Sequence, residues 1–402
     1  MSDTMSVLLA GVGGYGGTYV SALLDHGSSH GAEIVGVCDP FARAAKRFDE
    51  LRATGVPIVD DLETFYRSGR ADLTVISSPI HFHCPQTCKA LENGSHVLCE
   101  KPLGATVQEA ERMIRCRDRA GRFVAIGYQW SFCEPIQSLK ADIMRGEYGK
   151  PVRLRTLVLW PRNEAYYRRN NWAGARTDGA GNWVLDSPVN NATAHYLHNM
   201  FYVLGERVDR SAKPVRVIAE LYRANPIENF DTGVCRAWTS EGIEVLFYAS
   251  HSVQATRGPE FIYEFDKGVV EYGGRGKTIV GHFADGRTRD YGDPQADVTR
   301  KLWDAVGAVR GNGAMVCGPE AAASQTLCMN AMQESVPAVP DWPTTEVCQE
   351  GPEGGRLTYI KGLDEALSQA YAAGRLPSEM GVSWAKRGEE IDLRDYRHYP
   401  RE

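Results

Sequence analysis

The feature that most constrains this chain lies near its start, where the apolar run Val7-Leu8-Leu9-Ala10 passes directly into Gly11-Val12-Gly13-Gly14-Tyr15-Gly16 and then into a helix-length amphipathic stretch. G-x-G-x-x-G between a strand and the opening of a helix is the pattern of a dinucleotide phosphate loop. In that pattern Gly11 permits the tight turn, Gly13 lets the backbone approach a pyrophosphate, and Gly16 allows close helix packing. The amides of Gly14 and Tyr15 at the helix start face the phosphate charge. Asp39 ends the next β-branched run, about twenty residues beyond Gly16, where a carboxylate can accept both hydroxyls of a ribose. The competing role for Asp39 is a helix cap before Pro40.

The rest of the N-terminal part repeats the alternation. Strands are expected at Val7–Ala10, Ile34–Cys38, Leu73–Ser77, His96–Cys99 and Phe123–Ile126, with helices around Thr18–His26, Phe41–Thr54, Cys84–Asn93 and Val107–Ala120. Such alternation predicts βαβ units and a parallel sheet. After Tyr128 the texture changes. A helix is expected at Pro135–Arg145, a strand at Pro151–Leu159 and a helix at Ala192–Leu204. Then come strand-like runs at Val215–Tyr222, Gly233–Thr239, Glu244–Ser250, Glu260–Phe265 and Gly268–Tyr272, and helices at Ala296–Val309 and Glu320–Glu334. This is an α+β layout with a mostly antiparallel sheet. The expected division is a dinucleotide-binding domain over 1–128, a substrate and oligomerisation domain over 129–340, and an extension over 341–402 that wraps the body or folds at an interface.

Composition excludes several classes. A chain of 402 residues with 43% hydrophobic and 24% charged residues has the balance of a globular protein with more than one core. A net charge of -6 argues against a nucleic-acid binder. No apolar run approaches the ~20 residues that cross a bilayer, and the N-terminus lacks a secretory pattern, so a cytoplasmic location is expected. Ten cysteines without any C-x-x-C read as reduced thiols.

Two further constellations sit where strands end, at the edge of a parallel sheet that binds ligands. Ser78-Pro79-Ile80-His81-Phe82-His83 follows the third strand. Two histidines without a third ligand do not make a metal site, so Ser78, Pro79 and His83 are assigned to the cofactor edge and no metal is expected. Glu100-Lys101-Pro102-Leu103 follows the fourth strand. A lysine there can donate to a substrate oxygen or move a proton; by spacing alone an exposed loop lysine is the better reading. Gln129 and Trp130, past the fifth strand, are candidates for the substrate side. In the segment from Trp160 to Trp183, Arg162 and Trp172 stand among tyrosines and amides suited to stacking on a sugar or to packing a subunit contact.

Taken together, the glycine loop, Asp39, Ser78-Pro79 with His83, the run from Ala90 to Leu103 ending in Glu100-Lys101-Pro102, and Arg145-Gly146-Glu147-Tyr148-Gly149 resemble the Gfo/Idh/MocA family of glucose-fructose oxidoreductases and inositol dehydrogenases. The resemblance implies NAD as cofactor, with NADP less favoured, a sugar or cyclitol substrate, Lys101 at the reacting hydroxyl, and a homodimer or homotetramer supported by an open sheet. The reaction implied is hydride transfer between a hydroxyl-bearing carbon and nicotinamide. The alternatives are an enzyme of the same fold that recycles a held NAD through elimination, hydration or epimerisation, and a non-catalytic nucleotide-binding protein.

The family's second motif, a Leu-x-Asp followed by a His and a further Asp before Leu-x-Gly, departs here. Anchoring on Gly181 and Leu185 selects Asp186 as the carboxylate. Anchoring on Leu204-Gly205 selects Asn191 in its place, with His195 as the histidine and His198 at the later Asp. The second register is favoured, because Asn190 or Asn191 would cap a helix carrying His195 and His198 on one face.

Overall fold

The computed structural model describes residues 4–274 and 276–401. The chain forms two compact units. The first holds the chain up to Gly104, Gln108–Cys133 and Gln295–Ala323; the second holds Ala105–Val107, Glu134–Pro294 and the remainder from Ser324.

In the first unit, strands β1 (Met5–Ala10), β2 (Ala32–Cys38), β3 (Ile58–Val59), β4 (Leu73–Ile76), β5 (His96–Cys99) and β6 (Val124–Ile126) form one sheet in the order β3-β2-β1-β4-β5-β6. Every pairing is parallel. This is the doubly wound dinucleotide-binding order, whose ligand crevice opens at the carboxyl ends where β1 and β4 part. The buried run Val7-Leu8-Leu9-Ala10 is central because a parallel strand is covered on both faces. The single helix expected over Phe41–Thr54 is instead a 3₁₀ turn at Ala42–Ala44 and a helix at Phe48–Ala53, parted by an extended Ala45. The reading of all ten cysteines as reduced thiols is corrected: Cys88 and Cys116, on the helices Ile80–Glu92 and Val107–Ala120, form a disulfide. Two helices bring them together with Cα atoms 5.4 Å apart, a proximity that linear spacing does not encode.

In the second unit, β7 (Pro151–Leu159), β8 (Pro214–Tyr222), β9 (Thr232–Thr239), β10 (Glu244–Ser250), β11 (Arg257–Phe265), β12 (Gly268–Tyr272), β13 (Ile279–Phe283) and β14 (Thr288–Gly292) build a larger sheet. After the hairpin β15 (Val347–Glu350) and β16 (Leu357–Ile360), β17 (Ile391–Asp392) completes it. The order is β14-β13-β12-β11-β7-β10-β9-β8-β17, antiparallel throughout except that β7 and β10 run parallel. One face meets the helix Ala194–Val203, where Asn199 donates to the Tyr263 hydroxyl at 3.0 Å. On the other, Leu157, Leu159, Ile218, Leu246 and Tyr248 pack in one cluster with Leu363, Leu367 and Tyr371 of the C-terminal helix Leu363–Ala373. The last sixty or so residues thus cover a sheet face, and each large apolar side chain so buried contributes about 1.5–3 kcal/mol.

Candidate functional site

At the carboxyl edge of the parallel sheet the glycine loop is shaped by its neighbours. A Cβ on Gly11 would lie 2.8 Å from the backbone of Ser77 and Ser78, and one on Gly16 would lie 2.4 Å from the Gly11 carbonyl oxygen, so both close approaches need glycine. A Cβ on Gly13 would meet nothing within 4 Å: the space beside it is open, as a pyrophosphate approaching the backbone requires. Asp39 ends β2 and ties back to this loop. Its Oδ2 accepts the Val12 N–H at 2.9 Å and its Oδ1 the Phe41 N–H at 2.8 Å. A carboxylate offers about four acceptor positions, so both oxygens keep capacity for hydroxyl donors. This loop and carboxylate fit a dinucleotide.

Next to the loop stands a buried charge network. The Glu100 carboxylate, 6% exposed, accepts the Tyr19 hydroxyl at 2.5 Å, the Lys101 backbone N–H at 3.1 Å and the Lys301 ammonium. Lys301, itself buried, also donates to the Gly127 carbonyl at 3.0 Å, and its ammonium lies 4.5 Å from the centre of the Tyr15 ring. Burial alone would raise the Glu100 pKa; the Lys301 charge and the bonds from Lys301 and Tyr19 outweigh it and hold the group below its ordinary range. Lys101 follows β5, half-buried. His83 is fully buried and links the two neighbouring segments, its Nδ1 2.7 Å from the Pro102 carbonyl and its Nε2 3.0 Å from that of Ser78. Burial lowers its pKa more than the two carbonyls raise it. Ser78 Oγ donates to Gln86, and Pro79 precedes the helix from Ile80. Among the described residues no three His, Cys, Asp or Glu side chains converge as metal ligands.

Tyr15 donates to Gln129 Oε1 at 3.2 Å, which places Gln129 at the glycine loop. Trp130, expected on the substrate side, is buried with 1% of its surface exposed and presents no open face to a ligand. Lys301 and Tyr19 were not visible from sequence: Lys301 lies 201 positions from Glu100, with no motif to mark it.

The second unit brings residues of the two competing registers together. Asp186 and Asn191, one from each anchor, are bonded to one another, Asn191 Nδ2 donating to Asp186 Oδ1 at 2.8 Å. The chain between them forms a π-helical turn, Pro188–Ala192. Neither asparagine caps the helix. Ser187 Oγ accepts the Asn190 N–H at the start of the turn, and the helix itself begins at Ala194. Asp186 is buried, its Oδ2 accepting the Gly174 N–H at 2.7 Å and lying 3.6 Å from the Arg169 guanidinium. Leu185, just before it, is the one non-glycine among the described residues with a left-handed backbone, φ +49°. Strain of this kind persists where surrounding structure holds a site rigidly.

His195 is half-buried. His198, expected to act beside it, is instead a core residue: it is 0% exposed, its ring lies 5.4 Å from that of Tyr202, and burial together with Lys140 pushes its pKa down to about 3. A ring that stays neutral and enclosed cannot exchange a proton with a substrate at neutral pH. Arg162 and Trp172 stand in the loop after β7, Arg162 5.0 Å from the centre of the Tyr166 ring and Trp172 under the Arg169 guanidinium at 5.4 Å.

Residues 5–128 match the family described as "Oxidoreductase family, NAD-binding Rossmann fold". The chain is 29% identical over 209 residues to inositol 2-dehydrogenase of Rubrobacter xylanophilus, covering 52% of this chain and 54% of that one. It is 30% identical over 118 residues to D-glucoside 3-dehydrogenase of Escherichia coli K12, covering 29% and 33%. The chain therefore spans about half the length of the first relative and a third of the second. In structure it resembles the WlbA dehydrogenase of Bordetella pertussis, solved with NADH and UDP-GlcNAcA, with a TM-score of 0.68 over 83% of this chain and 97% of that one at 22% identity. At that identity the likeness establishes a shared fold. No helix among the described residues is long and apolar enough to cross a membrane.

Proposed function

Through residues 5–128 this chain belongs to the Gfo/Idh/MocA oxidoreductase family, whose matched part is an NAD-binding Rossmann domain, and on that premise we propose that it transfers hydride between a hydroxyl-bearing ring carbon of a carbohydrate or cyclitol and NAD. The observation that carries the reading is Glu100, fixed by Lys301 and Tyr19 and bonded to the Lys101 N–H at the ligand-binding edge of the sheet. A carbinol carbon gives up hydride only as its hydroxyl proton is drawn away, so the group that binds the reacting hydroxyl must be held in place before the reaction. NAD, when bound, supplies the hydride acceptor. Gly11, Gly13, Gly14, Tyr15 and Gly16 hold the pyrophosphate in this reading, Asp39 takes the ribose hydroxyls, and Ser78, Pro79 and His83 border the nicotinamide side. Lys101 donates to the reacting hydroxyl, and His195 is the proposed proton acceptor, with Asp186 and Asn191 fixing the segment before it. The names of the inositol and glucoside relatives support a ring hydroxyl as the reacting group.

The test is a screen of inositols, glycosides and free sugars for NADH accumulation with the full chain. A substrate that yields more than one equivalent of NADH per chain supports net oxidation; product without NADH accumulation means the cofactor is recycled, and no turnover on any member overturns the reading. Lys101→Met is expected to abolish turnover and keep NAD binding by calorimetry. NADH should bind more tightly than NADPH, since Asp39 would repel a 2'-phosphate; the reverse order removes Asp39 from the role assigned here. A homodimer or homotetramer remains part of the proposal, and light scattering decides it.

A further inference from the structure

In the second unit, Tyr166 is the hub of a cluster that the hydride-transfer reading does not use. The Arg169 guanidinium lies 3.8 Å from its ring centre and that of Arg162 5.0 Å, while the rings of His251 and Tyr167 stand edge-on at 5.6 and 5.2 Å. The cluster is held from below by the C-terminal extension. The Glu164 N–H donates to the Arg356 carbonyl at 2.9 Å, and Glu164 Oε2 accepts the Gly354 N–H at 2.8 Å, so the hairpin β15–β16 fixes the turn that presents Tyr166.

The charges here do not all pair. Arg169 is answered by Asp186 at 3.6 Å. Arg162 has no carboxylate within ion-pair distance among the described residues. Its Nε is buried without a hydrogen-bond partner, and the atoms it reaches, the Pro161 carbonyl oxygen at 3.4 Å and the Tyr166 hydroxyl, carry no charge. His251 supplies no negative charge either. Its Nδ1 is bonded to the Trp160 carbonyl at 2.7 Å, and burial with Arg162 nearby keeps the ring neutral, its pKa pushed down to about 3. The remaining buried carboxylate of this region, Asp231, forms no ion pair with either arginine; its Oδ2 accepts three N–H donors of Ala224 and Asn225, and its Oδ1 is buried without a hydrogen-bond partner. The Tyr167 hydroxyl is also buried without a partner. A partly desolvated cation without a counter-charge is costly, and a fold that keeps one between aromatic rings, beside unsatisfied polar groups, is arranged for an anion from outside.

We propose that Arg162, with Arg169 and Tyr167, forms a subsite for a carboxylate carried by the substrate, so that the chain acts on sugar acids or cyclitol acids in preference to neutral sugars. The single uncompensated guanidinium matches a monoanion and not a phosphate dianion, and its planar fork matches a carboxylate. The inference rests on the hydride-transfer reading for what happens to the bound acid, but the subsite can be tested by binding alone.

The experiment is calorimetric titration of the full chain, with and without NADH, against glucuronate and glucose, galacturonate and galactose, and glucose 6-phosphate as the phosphate arm. Each uronate is expected to bind at least about tenfold tighter than its neutral partner, the scale of one charge-assisted hydrogen bond. Arg162→Met should erase that difference and Arg162→Lys keep part of it, the lysine variant carrying the comparison if the methionine variant melts too low. Equal binding within both pairs, no binding of either uronate, a preference that survives in Arg162→Met, or tighter binding of glucose 6-phosphate than of the uronates overturns the proposal. A chain that prefers uronates but never reduces NAD keeps the subsite and loses the hydride-transfer reading; one that oxidises neutral sugars as readily as uronates does the reverse.

Discussion

Glu100 in the first unit and Asp186 in the second are both buried carboxylates beside proposed catalytic positions, yet they are held by different chemistry. Glu100 is held by a buried ammonium, a buried hydroxyl and one backbone N–H. Asp186 is held by a backbone N–H and a side-chain amide, with a guanidinium at ion-pair distance but beyond hydrogen-bond range. In a dry site an ion pair behaves as one object: removing one half strands the other, whereas a carboxylate held by neutral donors can lose its charge and keep most of its bonds. The first unit is therefore locked around its carboxylate, and the second holds its own by geometry, through the strained Leu185 and the π-helical turn.

The largest effect expected concerns how the second unit is held together as a whole. A chain stopped after residue 340 leaves Leu157, Leu159, Ile218, Leu246 and Tyr248 without the helix that covers them, and it should fail to accumulate as a folded, soluble protein. A truncated chain with the parent's melting temperature would show that the extension is an accessory and not part of the core.

Lys301→Met comes next, and it tests the locked carboxylate directly. It should destabilise the protein by about 3–5 kcal/mol, the usual consequence of stranding a buried charge. Adding Glu100→Gln should restore part of the loss. A single variant with unchanged urea midpoint would mean that the pair contributes nothing to holding Glu100.

Third is the contrast within the second unit. His195→Ala should lower turnover about 10²-fold or more, the scale of a positioned proton acceptor, and Asp186→Asn much less, since an amide can still accept the Gly174 N–H. His198→Ala should instead lower the melting temperature, because His198 is a core ring. If Asp186→Asn proves inactive while His195→Ala turns over normally, the proton acceptor is the carboxylate.

A further contrast separates the units by acid. His198 and His251 have folded pKa values near 3 against 6.5 when unfolded, so below pH 6.5 the unfolded chain binds protons that the folded chain refuses. Stability present above pH 6.5 should therefore be lost toward pH 3 by about 1.4 kcal/mol per pH unit for each ring. Glu100, whose pKa is lowered, adds its loss only as the pH falls below the ordinary carboxylate range. A stability that stays flat from pH 6.5 to 4.5 would show that these rings are not held neutral.

Much of the first unit was legible because its signals are local. A β-branched run, a glycine turn and a helix lie next to one another in the chain, and the parallel sheet they build places Gly11 to Gly16, Asp39, Ser78 and Lys101 at strand ends without reference to distant residues. What was missed there is long-range: Lys301, contributed by a returning segment, and the Cys88–Cys116 bond between two packed helices. In the second unit the sequence offered two incompatible registers, Asp186 in one and Asn191 with His195 in the other. Only the fold shows that Asp186 and Asn191 meet, because a π-helical turn leaves no composition signal and the hydrogen bond from Asn191 to Asp186 spans that turn. The same reason separates three of the four residues singled out for contact with a substrate. Arg162, Trp172 and Trp130 look alike in sequence, an aromatic or a cation in a loop, and the packing around each side chain decided that Trp130 is core and that the Arg162 Nε is enclosed without a hydrogen-bond partner.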